Sequence, residues 1–287
     1  MRLSVFCVAF FAAFAFCFDT ANGQITITTN DGGADVEVRE SQLGDPADPN
    51  FPTGQNRGDN SEIATRLSDT GLDVGNDRNS SIYLKFDISG LTATDLATNN
   101  SASLRLHLRN NNLGTGRISH QPDPAIPAID MSFDVYGLVN HDLADWEENN
   151  ITYYNAPGIT PDGEIGTKDF NDDLSKLGSF TLPPIGTQNW LPVGTAVDFS
   201  STSLLDLVSS AVADSQESLT LVVNHGLDGT NPGTTPANFL NFNYLFIPKD
   251  VLQLNGDPNW DPDTTDEIDP IGSPFSEADN SLGAFSP

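Results

Sequence analysis

Ser81-Ile82-Tyr83-Leu84-Lys85-Phe86-Asp87-Ile88 alternates without interruption: Ile82, Leu84, Phe86 and Ile88 fall on one side, Tyr83, Lys85 and Asp87 on the other. A period of two, carried by β-branched and aromatic residues and stopped by Ser89-Gly90, is the signature of a half-buried β-strand and leaves no room for a helical reading. The same pattern returns at Leu104-Arg105-Leu106-His107-Leu108-Arg109, with the leucines facing in and Arg105, His107 and Arg109 facing out. Two strands of this kind define a core and predict a β-protein.

Working outward, further strands are expected at residues 34–38, 63–67, 131–138, 177–182, 196–199, 219–223 and 239–247. Phe133 and Val135 stand on one side of the run 131–138 and Tyr136 and Leu138 on the other, so a strand covered on both faces is expected there. Residues 91–100 read as a connection. A single helix is expected after Ser201-Thr202-Ser203, which offers N-caps, because Leu204, Leu205, Leu207, Val208, Ala211 and Val212 form a stripe at helical spacing. Polar stretches rich in Pro, Asn, Asp and Gly, residues 42–60 and 110–130, read as long loops. The segment Asp145-Trp146-Glu147-Glu148-Asn149-Asn150-Ile151-Thr152-Tyr153-Tyr154-Asn155-Ala156-Pro157 concentrates Trp146, Tyr153 and Tyr154 and reads as a compact corner rather than a ligand cleft. With 17 Phe, 19 Pro and 24 Gly among 287 residues, the chain has both core and frequent turns. The fold class is therefore all-β, an antiparallel β-sandwich (jelly-roll-like) with one short helix and long polar loops.

Residues 1–23 read as a signal peptide: Arg2 gives the positive end, residues 5–18 are apolar but short for a membrane span, and Ala21-Asn22-Gly23 places small residues before a cut at Gln24. The expected product is secreted, extracellular or at the cell surface, with no membrane span after cleavage. Cys7 and Cys17 both lie within the signal, so no disulfide or thiolate metal site is expected in the exported chain. Loss of Arg2 and Asp19 leaves 11 basic and 39 acidic residues, still a net charge of −28. Nucleic acid is excluded as a partner by that balance.

The order of the segments Ala34-Asp35-Val36-Glu37-Val38-Arg39-Glu40, Tyr83-Leu84-Lys85-Phe86-Asp87-Ile88-Ser89-Gly90-Leu91, Ser101-Ala102-Ser103-Leu104-Arg105-Leu106 and Val135-Tyr136-Gly137-Leu138 resembles the DNRLRE domain family. Trp146-Glu147-Glu148-Asn149-Asn150-Ile151-Thr152-Tyr153, Asn155-Ala156-Pro157 and Val197-Asp198-Phe199 fit the same order, so the resemblance spans most of residues 34–247. It implies a secreted β-sandwich without catalysis, similar to alginate-binding carbohydrate-binding modules. The net charge of this chain disfavours a polyanion such as alginate. The resemblance also implies a final apolar strand after a segment like Phe275-Ser276-Glu277-Ala278. The domain is accordingly expected over residues 24–248, with residues 249–287 an acidic Pro/Asp-rich segment, an insertion ahead of a last strand that is missing.

The candidate ligand-binding residues are Tyr83, Lys85, Arg105, His107, Arg109 and Trp190. If the two alternating strands pair, the first five share one face, an aromatic platform beside a basic patch, and sugars stack on aromatic rings and hydrogen-bond to arginine. Trp190 and Trp260 stand in turn-rich surroundings that favour exposure. The only cofactor the acidic balance suggests is Ca²⁺, a cation that takes oxygen ligands. Asp35 and Glu37, near the sandwich rim, are the candidate metal ligands. Asp257-Pro258-Asn259-Trp260-Asp261-Pro262-Asp263 starts like a calcium loop but has Pro262 where Gly is needed and Ile268 where the bidentate Glu belongs, and reads as a linker. No nucleophile elbow or zinc motif is present, and His107, His120, His141 and His225 are scattered. The expected function is a non-catalytic exported binding module for a polysaccharide or other cell-surface component. A structural or adhesive surface protein is the alternative, and a polysaccharide-degrading enzyme the third reading.

Overall fold

The computed structural model describes residues 25–29, 32–39, 63–68, 78–97, 101–107, 131–161, 168–182, 196–226, 241–246 and 281–285. In chain order they form β1 (Ile25–Thr28), β2 (Ala34–Arg39), β3 (Ile63–Ser68), β4 (Arg78–Asp87), α1 (Ala93–Ala97), β5 (Ser101–His107), β6 (Met131–Leu138), β7 (Leu174–Leu182), β8 (Ala196–Ser200), α2 (Thr202–Ala213), β9 (Ser218–His225), β10 (Asn241–Phe246) and β11 (Ser281–Phe285). A smaller sheet has the order β1-β11-β5-β8, and a seven-stranded sheet the order β10-β3-β4-β9-β6-β7 with β2 also on β4. Every pairing between these strands is antiparallel. The all-β sandwich expected from the alternation is the fold observed.

The ten-residue β4 organises the larger sheet. Ile82 to Lys85 each have a partner on β2 and another on β9, and Ser80 has one on β2 and one on β3. β9 and β3 therefore follow one another along one edge of β4, and β2 takes the other edge. Strict alternation sends Ile82, Leu84 and Phe86 of β4, Phe133 and Val135 of β6 and Leu221 and Val223 of β9 into one cluster with Leu104 and Leu106 of β5 and Val197 and Phe199 of β8. Each such side chain, fully buried, contributes about 1.5–3 kcal/mol.

α2 starts as the sequence predicts. Ser201 is extended, and its hydroxyl accepts from the Leu204 amide at 3.1 Å. Leu204, Leu207, Val208 and Ala211 are buried in the same cluster, with Leu205 and Val212 packed against its edge. Between β6 and β7 the register shifts, so that Val135 faces Gly178 and Tyr136 faces Lys176. The bulged Leu177 joins the inner core.

The opposite face of the larger sheet carries a second apolar layer. Val36 and Val38 of β2, Tyr83 of β4, Leu138 of β6 and Val222 of β9 are covered by Ala144, Trp146, Ile151, Tyr153 and Ala156. The expectation that β6 is covered on both sides holds, and the corner is where the covering comes from.

Two expectations are corrected. Residues 91–100 contain α1, whose start is a reciprocal cap: the Thr92 amide donates to Asp95 Oδ2 at 2.9 Å and the Asp95 amide donates to Thr92 Oγ1 at 3.3 Å. The supposed missing last strand is supplied by β11, which lies between β1 and β5 with Leu282 opposite both Ile27 and Leu104. Residues 281–285 thus take a place inside the smaller sheet.

Candidate functional site

Tyr83 and Lys85 stand on the outer face of β4, as read from the alternation, but that face lies under the corner. Tyr83 is fully buried. Its hydroxyl donates to the Pro157 carbonyl at 2.9 Å, and its ring meets that of Trp146 edge-on at 6.2 Å. Burial pushes the phenol pKa far above its ordinary value. Lys85 is half-buried; its ammonium donates to the Trp146 carbonyl and lies 5.2 Å from the centre of the Trp146 ring. Trp146 in turn donates from Nε1 to Thr220 Oγ1 at 2.9 Å. Tyr153 donates to Asp169 at 2.8 Å and packs edge-on against the half-buried Tyr154. These groups fasten the corner to the sheet. The platform expected from them does not exist, since Tyr83 is core.

A second reason is topological. β4 and β5 belong to different sheets, so Tyr83 and Lys85 do not share a face with Arg105 and His107. The signal that distinguishes the cases was the composition of the corner: three large aromatics close in sequence need an apolar surface to lie on, and Tyr and Lys offer apolar bodies with polar tips.

Arg105 is where the expectation of an exposed basic group holds. It lies directly across from Asp198 on β8. Nε donates to Oδ1 at 2.7 Å and Nη2 to Oδ2 at 2.9 Å, with side chains 44% and 50% exposed. The hydrogen bond to Asp198 raises the guanidinium pKa. The same bond from Arg105 lowers the carboxyl of Asp198, with the charges of Arg105 and His107 adding to it. His107 is half-buried at the end of β5, opposite Ala196. Asp198 was not singled out in the sequence; its exposure follows from the alternation Val197-Asp198-Phe199, but the pairing of β8 with β5 has no local signal. Arg109, Trp190 and the run from Asp257 to Asp263 lie outside the described residues.

Asp35 and Glu37 are buried on β2, at 0% and 2% exposure. Asp35 Oδ2 accepts from Thr29 Oγ1 at 2.9 Å, and Glu37 Oε1 accepts from Arg39 Nε at 2.6 Å. Among the described residues no group of three or more His, Cys, Asp or Glu is close enough to hold a metal ion. Glu37 already has its cation in Arg39.

One charged cluster has no counterpart in the sequence reading. On β6, Asp134 is nearly fully buried, with Lys176 Nζ at 2.8 Å from Oδ1, Lys168 Nζ at 3.4 Å from Oδ2 and Ser179 Oγ donating to Oδ1 at 2.8 Å. Burial opposes the charge on Asp134, but the hydrogen bonds from Lys176 and Ser179 and the two ammonium charges outweigh it and hold the carboxyl below the usual carboxylate range. Lys168 also reaches over the Tyr136 ring, which packs edge-on against Phe170 at 4.8 Å. The cluster ties residues 168–170 to the sheet.

Compared with known proteins, the chain matches no family model, and no curated protein is significantly similar to it.

Proposed function

We propose that the chain is a non-catalytic, exported binding module whose ligand is a polysaccharide at or outside the cell surface. The observation that carries this reading is the difference between the two sheets. The larger has apolar layers on both faces, whereas the smaller buries Leu104, Leu106, Val197 and Phe199 on one face and presents exposed Arg105 and Asp198 on the other. A polar face with an exposed, fixed donor and acceptor suits a ligand rich in hydroxyls. The signal-like residues 1–23 and the order of segments resembling DNRLRE domains support the same reading.

The second reading is a structural or adhesive surface protein. It is favoured by one feature: Tyr83, Phe133, Tyr136, Trp146, Tyr153 and Tyr154 are each buried or half-buried, so none of them offers sugar rings an open stacking platform. The two are separated by passing the chain from Gln24 onward over immobilised neutral and acidic polysaccharides, each with calcium and with chelator. Selective retention on at least one glycan is the expected result. Failure on all of them overturns the polysaccharide reading in favour of protein contact.

A further inference from the structure

Resting on that binding role, we infer that the ligand is a neutral glycan with vicinal hydroxyls, held on the outer face of the smaller sheet by the Arg105–Asp198 pair. Arginine has five N–H donors in a planar fork, and two are spent on Asp198. The three that remain and the further lone pairs of Asp198 belong to side chains 44% and 50% exposed. Adjacent sugar hydroxyls each donate and accept, so one takes a hydrogen from Arg105 while its neighbour gives one to Asp198. Both bonds are charge-assisted, yet the pair as a whole is neutral.

Charge decides the class of glycan. A uronate or sulfate at the remaining Arg105 donors would lie beside the Asp198 carboxylate, and would approach a chain whose net charge is −28. A neutral glycan meets neither obstacle. The next row on this face runs Thr26, Gly283, Ser103, Ser200 across all four strands, with Thr26 and Ser200 exposed and Ser103 buried. At about 4.8 Å per strand step, that row is roughly 14 Å long. β5 holds the pair rigidly, since Leu104 and Leu106 on either side of Arg105 are anchored in the core.

The experiment compares retention of the chain from Gln24 onward on agarose, mannan and cellulose with retention on alginate and pectate. The comparison is repeated for Arg105→Ala, Arg105→Lys, Asp198→Ala and Ser200→Ile. Expected is retention on at least one neutral glycan that persists at 0.5 M salt, roughly the range where screening removes long-range charge effects. Affinity should fall at least about tenfold in Arg105→Ala, Asp198→Ala and Arg105→Lys, the last keeping the charge but losing the fork. Ser200→Ile leaves both charges in place, adds no aromatic ring and should weaken binding by bulk alone. Melting temperatures of all variants should stay near that of the parent, because an exposed pair contributes about 0–1 kcal/mol. Retention only on alginate or pectate, or retention on a neutral glycan unchanged in the Arg105 variants, overturns this inference while leaving the binding role standing. Retention on no glycan overturns both.

Discussion

Tyr83 and Arg105 look alike in the sequence, each a polar residue on the outward side of an alternating strand, and the structure gives them opposite tasks. Tyr83 sends its hydroxyl to a buried carbonyl 74 residues away. Replacing it with Phe keeps the ring but leaves the Pro157 carbonyl buried without its donor, and should lower stability by about 1–3 kcal/mol, read from urea unfolding. Arg105→Ala should change stability by less than about 1 kcal/mol. Asp134 gives a third prediction at this scale. Its folded pKa lies below its unfolded value of about 3.9, so its contribution is present above that pH and is lost as the pH falls through the folded value. Asp134→Asn should therefore be less stable than the parent at pH 7, by about 2 kcal/mol, between the values for exposed and buried pairs. The difference should shrink as the pH falls below about 4 and through the folded value. A deficit that stays constant down to the pH at which the parent unfolds would mean that the carboxylate charge is not what holds residues 168–170.

Among the elements, those with a strong internal period were legible: β2, β4, β5, β6, β9 and α2 stand where alternation or the helical stripe puts them. The start of α1 was also written locally, in Thr92-x-x-Asp95, but its single buried residue, Leu96, gives no stripe to notice. What could not be read was pairing. Nothing in β5 says that its neighbours are β8 and β11, and the ligand face was misassembled for that reason as well as for the burial of Tyr83 under the corner. Gly32 and Gly33, just ahead of β2, show how closely local sequence and tertiary contact can be tied. Gly32 has φ of +84°, and Gly33 lies so near the Lys85 carbonyl that a methyl group would run into backbone. Gly33→Ala should cost about 1–3 kcal/mol or more, since backbone cannot rotate away as a side chain can. Gly90→Ala, with no heavy atom within 4 Å of the added carbon, is the matched control and should leave the melting temperature within a few degrees.

At the scale of the molecule, the charge of −28 and the position of β11 govern behaviour. Self-repulsion is long-ranged when the screening length is about 30 Å, at 10 mM salt, and weak when it is about 8 Å, at 150 mM. β11 joins the first described strand to the rest of its sheet: β1 pairs along its full length with Ser281–Thr28 to Ala284–Ile25, and β11 in turn pairs with β5. Removing residues 281–287 would leave β1 without its neighbour in the sheet order and open one edge of β5 beside the core residues Leu104 and Leu106. Unpaired edges of this kind recruit other strands. The truncated chain should melt at least 10 °C lower, by an order-of-magnitude reckoning in which 1 kcal/mol shifts the midpoint of a domain this size by roughly 2–4 °C. A synthetic peptide of residues 279–287 added in excess should restore part of the loss by strand addition. If the truncated chain melts like the parent, the domain ends near residue 248, as its composition suggests. If it melts low and the peptide restores it, the acidic segment serves to carry the chain from one sheet to the middle of the other.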